Sequence, residues 1–378
     1  QLRIRVAFLM DNQILSFKAC HLCSTNIRLF CHTKGEKFMR DLHTLQGKTI
    51  GVVYTYEGEE APGFFHYHVW QSDIISNWLT AIQDLKCRPF IIDVRTFVEK
   101  AIAGSLPDLD FVLNLNCGGY ELSPMALIPS VCGFFNIPCI PCNASTILAG
   151  ENKRISNLLA SATGLQVPPN LKADEDGGIF RPLNLGSSIG IKRGPLSGDE
   201  PDGLYQKFIS GYDITTPIVF NPYTNKMVCM PTVLYMPEED STDWYLGESY
   251  KDTRSGFERK SIFELSTPLE SQYLELVKNM DINTFCRIDA RIACTSKKQL
   301  FAKLQQPLLK DDVYFIEINP MPTVWINNAF SHSYNELSEK HNLYPYIQNL
   351  NELVEGKINL YSFLLSIAMS SFYSHVQK

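Results

Sequence analysis

The chain has 378 residues, 45% of them hydrophobic and 20% charged, with a formal net charge of -6. That length and apolar content are enough for two or three buried cores and exclude a disordered chain. The acidic balance, with no basic stripe, excludes a general nucleic-acid binder, and no apolar run is long enough to span a bilayer.

Residues 1–46 open with a short strand candidate, "IRVAFL", and continue without clear periodicity. They are read as an N-terminal extension of unassigned role, too charged at the start for a signal peptide. Eleven cysteines without a secretory signal predict free thiols in a reducing compartment, the cytoplasm. The CxxC pairs Cys20/Cys23 and Cys139/Cys142 invite a zinc reading. The spacing from the first pair to Cys31 and His32 matches no common finger, so packing or loop thiols are favoured.

From Gly47 the pattern becomes regular. "KTIGVVYTY", "RPFIIDV" and "LDFVLNLN" are strand candidates rich in apolar residues. Between the first two, Trp70, Ile74, Trp78 and Ile82 recur at four-residue steps and predict an amphipathic helix. Strands alternating with helices predict a parallel sheet with crossover helices. His66 and His68 in "FHYHVW" share a face if that stretch is a strand, but no third ligand accompanies them.

Further on, "ILAGENKRISNLLASATG" reads as one helix ended by Gly164. "LQVPPNL" is extended. The loop "FRPLNLGSSIG" follows, and then "DGLYQKFISGYDITTPIVF", which ends in strand-like alternation. Residues 237–260 are polar and turn-rich, predicting a long mobile lid. "PLESQYLELVKNM" is a helix, "FCRIDARIAC" and "VYFIEINP" are strands, and "INLYSFLLSIAMSSFY" is a buried terminal helix.

The sequence has no P-loop, no GxGxxG fingerprint and no GxSxG elbow. The two late strands carry the chemistry instead. Arg287 and Asp289 are two residues apart and share one strand face, as do Glu317 and Asn319. Ile288, Ile316 and Ile318 are expected to face a core. If the strands are neighbours, hard oxygen donors and an arginine gather on one surface, which suits Mg²⁺ with phosphates. Either pair alone fits a solvated strand face equally well.

Taken in order, "ENK", "FRPLNLGSSIG", "YQKFISGYDIT", "RID" and "EIN" resemble the D-alanine–D-alanine ligase family of ATP-grasp enzymes, from Gly47 to the mid-330s. The resemblance implies an α/β and α+β fold: a Rossmann-like pre-grasp domain at 47–145, then ATP-grasp subdomains at 146–216 and 217–378. It implies ATP with Mg²⁺ (two ions, with Mn²⁺ an alternative). Lys153 and Arg181 would contact phosphates, and Gly186, Ser187, Ser188 and Gly190 would close over phosphate and substrate. Gln206, Lys207, Ile209 and Asp213 would receive adenine and ribose. In the lid at 237–260, Tyr250 or Lys251 would reach the phosphate end, although the family's lysine has no clean match there. Asp289, Glu317 and Asn319 would be metal ligands, and Arg287 would stabilise the acyl-phosphate and tetrahedral states.

Several positions depart from the family pattern. Arg181 stands for a lysine, Gln206 for a glutamate, Asn116 for a histidine and Thr323 for a glycine. A longer run than usual leads to Ser331–Ser333, which resembles an acceptor-carboxylate loop. The expected function is an ATP-dependent carboxylate–amine ligase acting on small amino-acid substrates, with a homodimer left open. The alternatives are a true D-alanine–D-alanine ligase and a nucleotide-binding protein without catalysis.

Overall fold

The computed structural model describes residues 5–10, 13–18, 42–55, 72–116, 122–186, 188–239, 241–247, 255–261, 264–324, 328–338 and 342–376. By its internal contacts the chain divides into two units, Gln1–Gln46 and Gly47–Lys378. In the first, β1 (Arg5–Met10) and β2 (Gln13–Lys18) pair antiparallel, Arg5 opposite Lys18. Cys20, Cys23, Cys31, His32, His66, His68 and Trp70 lie outside the described residues.

The second unit begins with a parallel sheet. Its elements are β3 (Thr49–Tyr54), α1 (Ser72–Asp84), β4 (Arg88–Asp93), α2 (Val94–Ile102), β5 (Phe111–Leu115), α3 (Leu122–Phe134) and β6 (Cys139–Ile140). The strand order is β4-β3-β5-β6. Strand β5 is buried along its whole length, as a central parallel strand with helices on both faces must be. Helix α1 buries Ile74, Trp78 and Ile82, the stripe its spacing predicts. Cys139 and Cys142 are buried free thiols.

The expected single helix after Cys142 is two, α4 (Ala144–Glu151) and α5 (Lys153–Ala162). Asn152 ends the first and caps the second, its side chain accepting from the N–H groups of Arg154 and Ile155. An asparagine competes with helical backbone bonds, so the break falls there. It makes Lys153 the first residue of α5.

A small antiparallel sheet follows, of β7 (Gly178–Pro182), β8 (Lys192–Arg193) and β9 (Gly203–Lys207), in the order β8-β7-β9. The large sheet comprises β10 (Gly211–Asn221), β11 (Lys226–Cys229), β12 (Val233–Pro237), β13 (Phe257–Ser261), β14 (Phe285–Ala293) and β15 (Val313–Asn319). Its order is β13-β12-β10-β14-β15, with β11 paired to β10. Helix α6 (Thr267–Asn279) buries Leu269, Tyr273 and Leu276 in the core that Ile214, Ile288 and Ile318 also enter. Helix α7 (Lys297–Lys303) lies between β14 and β15. The chain closes with α8 (Ala329–Asn335), α9 (Tyr344–Val354) and α10 (Leu360–Val376). Helix α10 returns to the first sheet: Tyr361 stands edge-on to Trp78 at 5.0 Å, and Ser362 Oγ donates to Asp84 at 2.9 Å. No helix among the described residues is long and apolar enough to cross a membrane.

Two further expectations change. Residues 237–260 are not uniformly loop: Phe257–Ser261 forms an edge strand whose Arg259 pairs with Tyr235, because Phe257 packs against Tyr235 and Trp244. Ser331–Ser333 belong to α8 rather than to a loop, and Ser333 is buried with its hydroxyl donating to Pro231 O at 2.7 Å.

Gly211 joins the small sheet to the large one at φ +145°, and a Cβ built there would meet Ile292 O at 1.8 Å. Gly211→Ala is expected to destabilise the protein by at least about 2 kcal/mol, through backbone strain and a clash with backbone that cannot yield. A denaturant midpoint unchanged from wild type would show that this junction is not constrained.

Candidate active site

The site is built on two paired strands. Register sets Arg287 opposite Asn319 and Asp289 opposite Glu317, while Thr215 of β10 lies across from Asp289 on the other side. Alternation along β14 sends Ile288, Ala290 and Ile292 into the core and leaves Arg287, Asp289 and Arg291 on the opposite face.

The register shifts between Asp289 and Ala290, and Ile316 is the extra residue of the resulting bulge. This corrects the expectation that Ile316 shares the core with Ile318. Phe315 and Ile318 are each 1% exposed, whereas Ile316 is only partly buried. The bulged carbonyl of Ile316 accepts from Arg181 at 2.8 Å.

Asp289 is held from three sides. Thr215 Oγ1 donates at 2.7 Å, Arg287 at 3.1 and 2.9 Å, and Asn319 Nδ2 at 3.0 Å. Burial raises the Asp289 carboxyl and Arg287 lowers it; with Glu317 adding repulsion, the net shift is upward. Burial lowers the Arg287 guanidinium, but Asp289, Tyr235 and Glu317 together outweigh it and hold Arg287 above its usual range.

Lys153 arrives from α5, 6% exposed, its Nζ donating to Leu185 O at 2.6 Å and lying 3.8 Å from Glu317 Oε2. Burial lowers its pKa against the pull of Glu317. Glu151, at the end of α4, was not singled out from the sequence. Burial and then Glu317 push its carboxyl up to about 7. Its place two residues before Lys153 in "ENK" is the signal the sequence offers. Three carboxylates, Glu151, Asp289 and Glu317, thus stand among three cations, Lys153, Arg181 and Arg287.

Arg181, on β7, is 4% exposed, and its second guanidinium nitrogen donates to Gln206 Oε1 at 2.7 Å. Gln206 in turn donates to Pro168 O at 2.9 Å. Both polar atoms of Gln206 are therefore engaged in orienting Arg181. A lysine at 181 would keep the charge but lose the fork that reaches Gln206 and Ile316 together. If the site takes the nucleotide that the sequence resemblance implies, its affinity is expected to fall about tenfold in Arg181→Lys and about a hundredfold in Arg181→Ala, the worth of one or two charge-assisted hydrogen bonds. Equal nucleotide binding by wild type and Arg181→Ala, measured by titration calorimetry, would remove Arg181 from the site.

The Gly-Ser loop follows β7 from Gly186 to Gly190. Ser187, Tyr250 and Lys251 lie outside the described residues. Ser188 sits at φ +64° and its Oγ donates to Leu246 O at 2.8 Å. In this arrangement its hydroxyl latches the loop to residues 241–247.

The stretch after β9 presents backbone. Lys207 N–H donates to Pro169 O at 2.8 Å and Phe208 N–H to Gly177 O at 3.0 Å, while Ile209 N–H bonds to no described residue. Asp213 places one oxygen 2.6 Å from Arg291 and accepts from Leu246 N–H at 2.8 Å with the other. Arg291 also donates to the carbonyls of Ile209, Gly211, Thr242 and Trp244. It is the second residue the sequence reading passed over. The alternation that marked Arg287 and Asp289 continues to Arg291, but nothing local shows that one guanidinium would organise so many carbonyls. These bonds also tie down 241–247.

On the other flank, Asn116 is 3% exposed, accepting from Thr55 Oγ1 at 3.0 Å and donating its N–H to Asn114 Oδ1 at 3.0 Å. Thr323 O accepts from Asn328 Nδ2 at 2.8 Å.

The donor set fits a divalent cation of the magnesium type. Asp289 and Glu317 are adjacent, mutually repelling carboxylates, and Asn319 adds a carbonyl oxygen. Among the described residues no group of three or more His, Cys, Asp or Glu side chains gathers around one point. Magnesium is commonly bound by one or two carboxylates, with phosphate oxygens completing its coordination.

No protein-family model matches the sequence, and no curated protein matches it. Solved structures do match. D-alanine–D-alanine ligase from Bacillus anthracis complexed with ATP aligns over 88% of this chain and 99% of its own, at 15% identity and a TM-score of 0.54. D-alanyl-alanine synthetase A from Vibrio cholerae aligns over 82% of this chain and 100% of its own, at 14% identity and a TM-score of 0.52. VanG D-Ala:D-Ser ligase from Enterococcus faecalis gives 14% identity, 82% and 100% coverage, and a TM-score of 0.50.

Proposed function

We propose that this chain, which has the ATP-grasp fold of the D-alanine–D-alanine ligases, is an ATP-dependent carboxylate–amine ligase that forms an amide through an acyl phosphate. The observation that carries the reading is the pairing of β14 with β15, which brings Arg287, Asp289, Glu317 and Asn319 to one face beside Lys153 and Arg181. A site with balanced carboxylates and cations suits ATP accompanied by divalent ions, whose charges also nearly cancel.

In this reading Ile209 N–H meets the adenine edge, Asp213 lies at the ribose end, and Lys153 and Arg181 grip phosphates. Bound magnesium would be held by Asp289, Glu317 and Asn319 and would neutralise phosphate charge. The substrate carboxylate attacks the γ-phosphorus and ADP leaves. The amine then adds to the acyl carbon, and Arg287 faces the oxyanion as phosphate departs.

Transfer of ¹⁸O from a labelled donor carboxylate into released phosphate tests the acyl phosphate directly. Phosphate released with ATP and amino acids but carrying no label would overturn it. Joining two D-alanines is the second reading, supported by the compared structures. Asn116 and Thr323 count against it, because a threonine crowds an oxyanion that a glycine's backbone would let approach. We therefore expect a product other than D-alanyl-D-alanine.

A further inference from the structure

The polar face of the large sheet extends beyond the residues already described. Tyr235 of β12 is 7% exposed, and its phenol is influenced by Arg287, Asp289 and Thr215. Directly across from it on the edge strand is Arg259, so the two side chains share that face. The same face holds Trp244, Phe257 and Ala329 of α8. Arg259 lies over the rings of Phe257, at 4.8 Å, and Tyr235, at 5.8 Å.

Arg259 differs from the other arginines near the site. Its Nε is buried without a hydrogen-bond partner. Among the described residues it makes no ion pair, whereas its strand neighbours Glu258 and Lys260, on the opposite face, pair at 3.3 Å. Arg287 and Arg291 each hold an aspartate. A partly desolvated guanidinium left unpaired is unfavourable unless something anionic meets it. An arginine packed on aromatic rings has its plane restrained, and its fork edge is the part that can take a carboxylate bidentately.

We propose that Arg259 is a substrate-binding residue that takes a carboxylate of the amine substrate, one that does not react. The proposal rests on the ligase reading and deepens it. Tyr235 connects Arg259 to the site, because its phenol reaches the Thr215, Asp289 and Arg287 group while Arg259 stands directly across from it on the edge strand. The carboxylate has two sources, the α-carboxylate of the acceptor or an acidic side chain.

The test measures ADP release by the full chain at saturating ATP, with one donor amino acid held constant and saturating: whichever supports the fastest release alone. Alanine is compared with alaninamide, and aspartate with asparagine, as acceptors in both stereochemistries. Wild type should prefer the acid over its amide in at least one pair by roughly ten- to a hundredfold in kcat/KM, the ordinary worth of a charge-assisted bond. In Arg259→Met that ratio should fall to near one, and Arg259→Lys should restore part of it, with ATP affinity unchanged in both. Collapse in the alanine pair identifies the α-carboxylate, and collapse in the aspartate pair identifies the side chain. An unchanged ratio in Arg259→Met overturns the assignment.

A second measurement needs no variant and no turnover. Phenylglyoxal modification of Arg259 in the wild-type chain, followed by peptide mass spectrometry, should be slowed by the acid member of a pair and not by its amide. No slowing by any acid overturns the proposal. If no amine raises ADP release, the ligase reading fails, and the modification experiment still decides whether Arg259 binds carboxylates.

Discussion

Glu317→Gln is expected to lower turnover by more than about a hundredfold while leaving the fold intact. Glu317 faces Asp289 across β14 and β15 and stands 3.8 Å from Lys153. Burial lowers the pKa of Lys153 and of Arg181, and the charge of Glu317 opposes that shift in both. Glutamine keeps the shape and one oxygen but removes that charge. Losing a ligand that helps neutralise phosphate forfeits several kcal/mol of transition-state stabilisation, and each 1.4 kcal/mol is roughly tenfold in rate. The side chain is only partly buried, so circular dichroism and the thermal midpoint should change little. Turnover should also require much more magnesium. A purified variant with wild-type turnover at the same magnesium concentration would show that Glu317 is not a ligand.

Arg287→Met should be comparably damaging, with a different signature. Its guanidinium bonds Asp289 through two nitrogens and shares the open face with Asn319 and Tyr235. A donor aimed at a developing oxyanion is worth about a hundred- to a thousandfold in kcat. ATP affinity should stay within about fivefold, because Lys153 and Arg181 remain. The variant leaves Asp289 with Thr215 and Asn319 but without its cation, so its carboxyl should rise further. Folded stability should then fall at neutral pH and recover as the medium acidifies enough to protonate Asp289. Equal losses in ATP affinity and in kcat would place Arg287 in nucleotide binding instead.

Much of the fold is legible in the residues. Four-residue steps in α1, apolar strands around it and the hydropathy of α10 are local patterns, and local pattern decides local structure. Part of the site is legible for the same reason. Alternation in "RID" and "EIN" fixes which side chains share a strand face, whatever the strands pair with. It does not fix whether the two faces meet. That required β14 and β15 to be neighbours in one register, which depends on contacts between residues about thirty positions apart.

Elsewhere the distant contacts overrode the local signal. The polar stretch after β12 reads as loop, yet Phe257 has Tyr235 and Trp244 to pack against and becomes an edge strand. Alternation assigns Ile316 to the core, but the bulge turns its carbonyl toward Arg181. Gln206 reads as a neutral substitute in a nucleotide site and is instead the brace of Arg181.

The sequence by itself determined the elements, the strand faces and the kinds of charge available, because these follow from neighbours within a few residues. Only the tertiary structure decided which charges are spoken for. Asp213, Ser188 and Gln206 are engaged by groups that reach them across the fold, while among the described residues Arg259 meets aromatic rings and no carboxylate. Whether an ionised side chain is paired depends on what lies within about 4 Å of it, and residues far apart in the chain supply those neighbours.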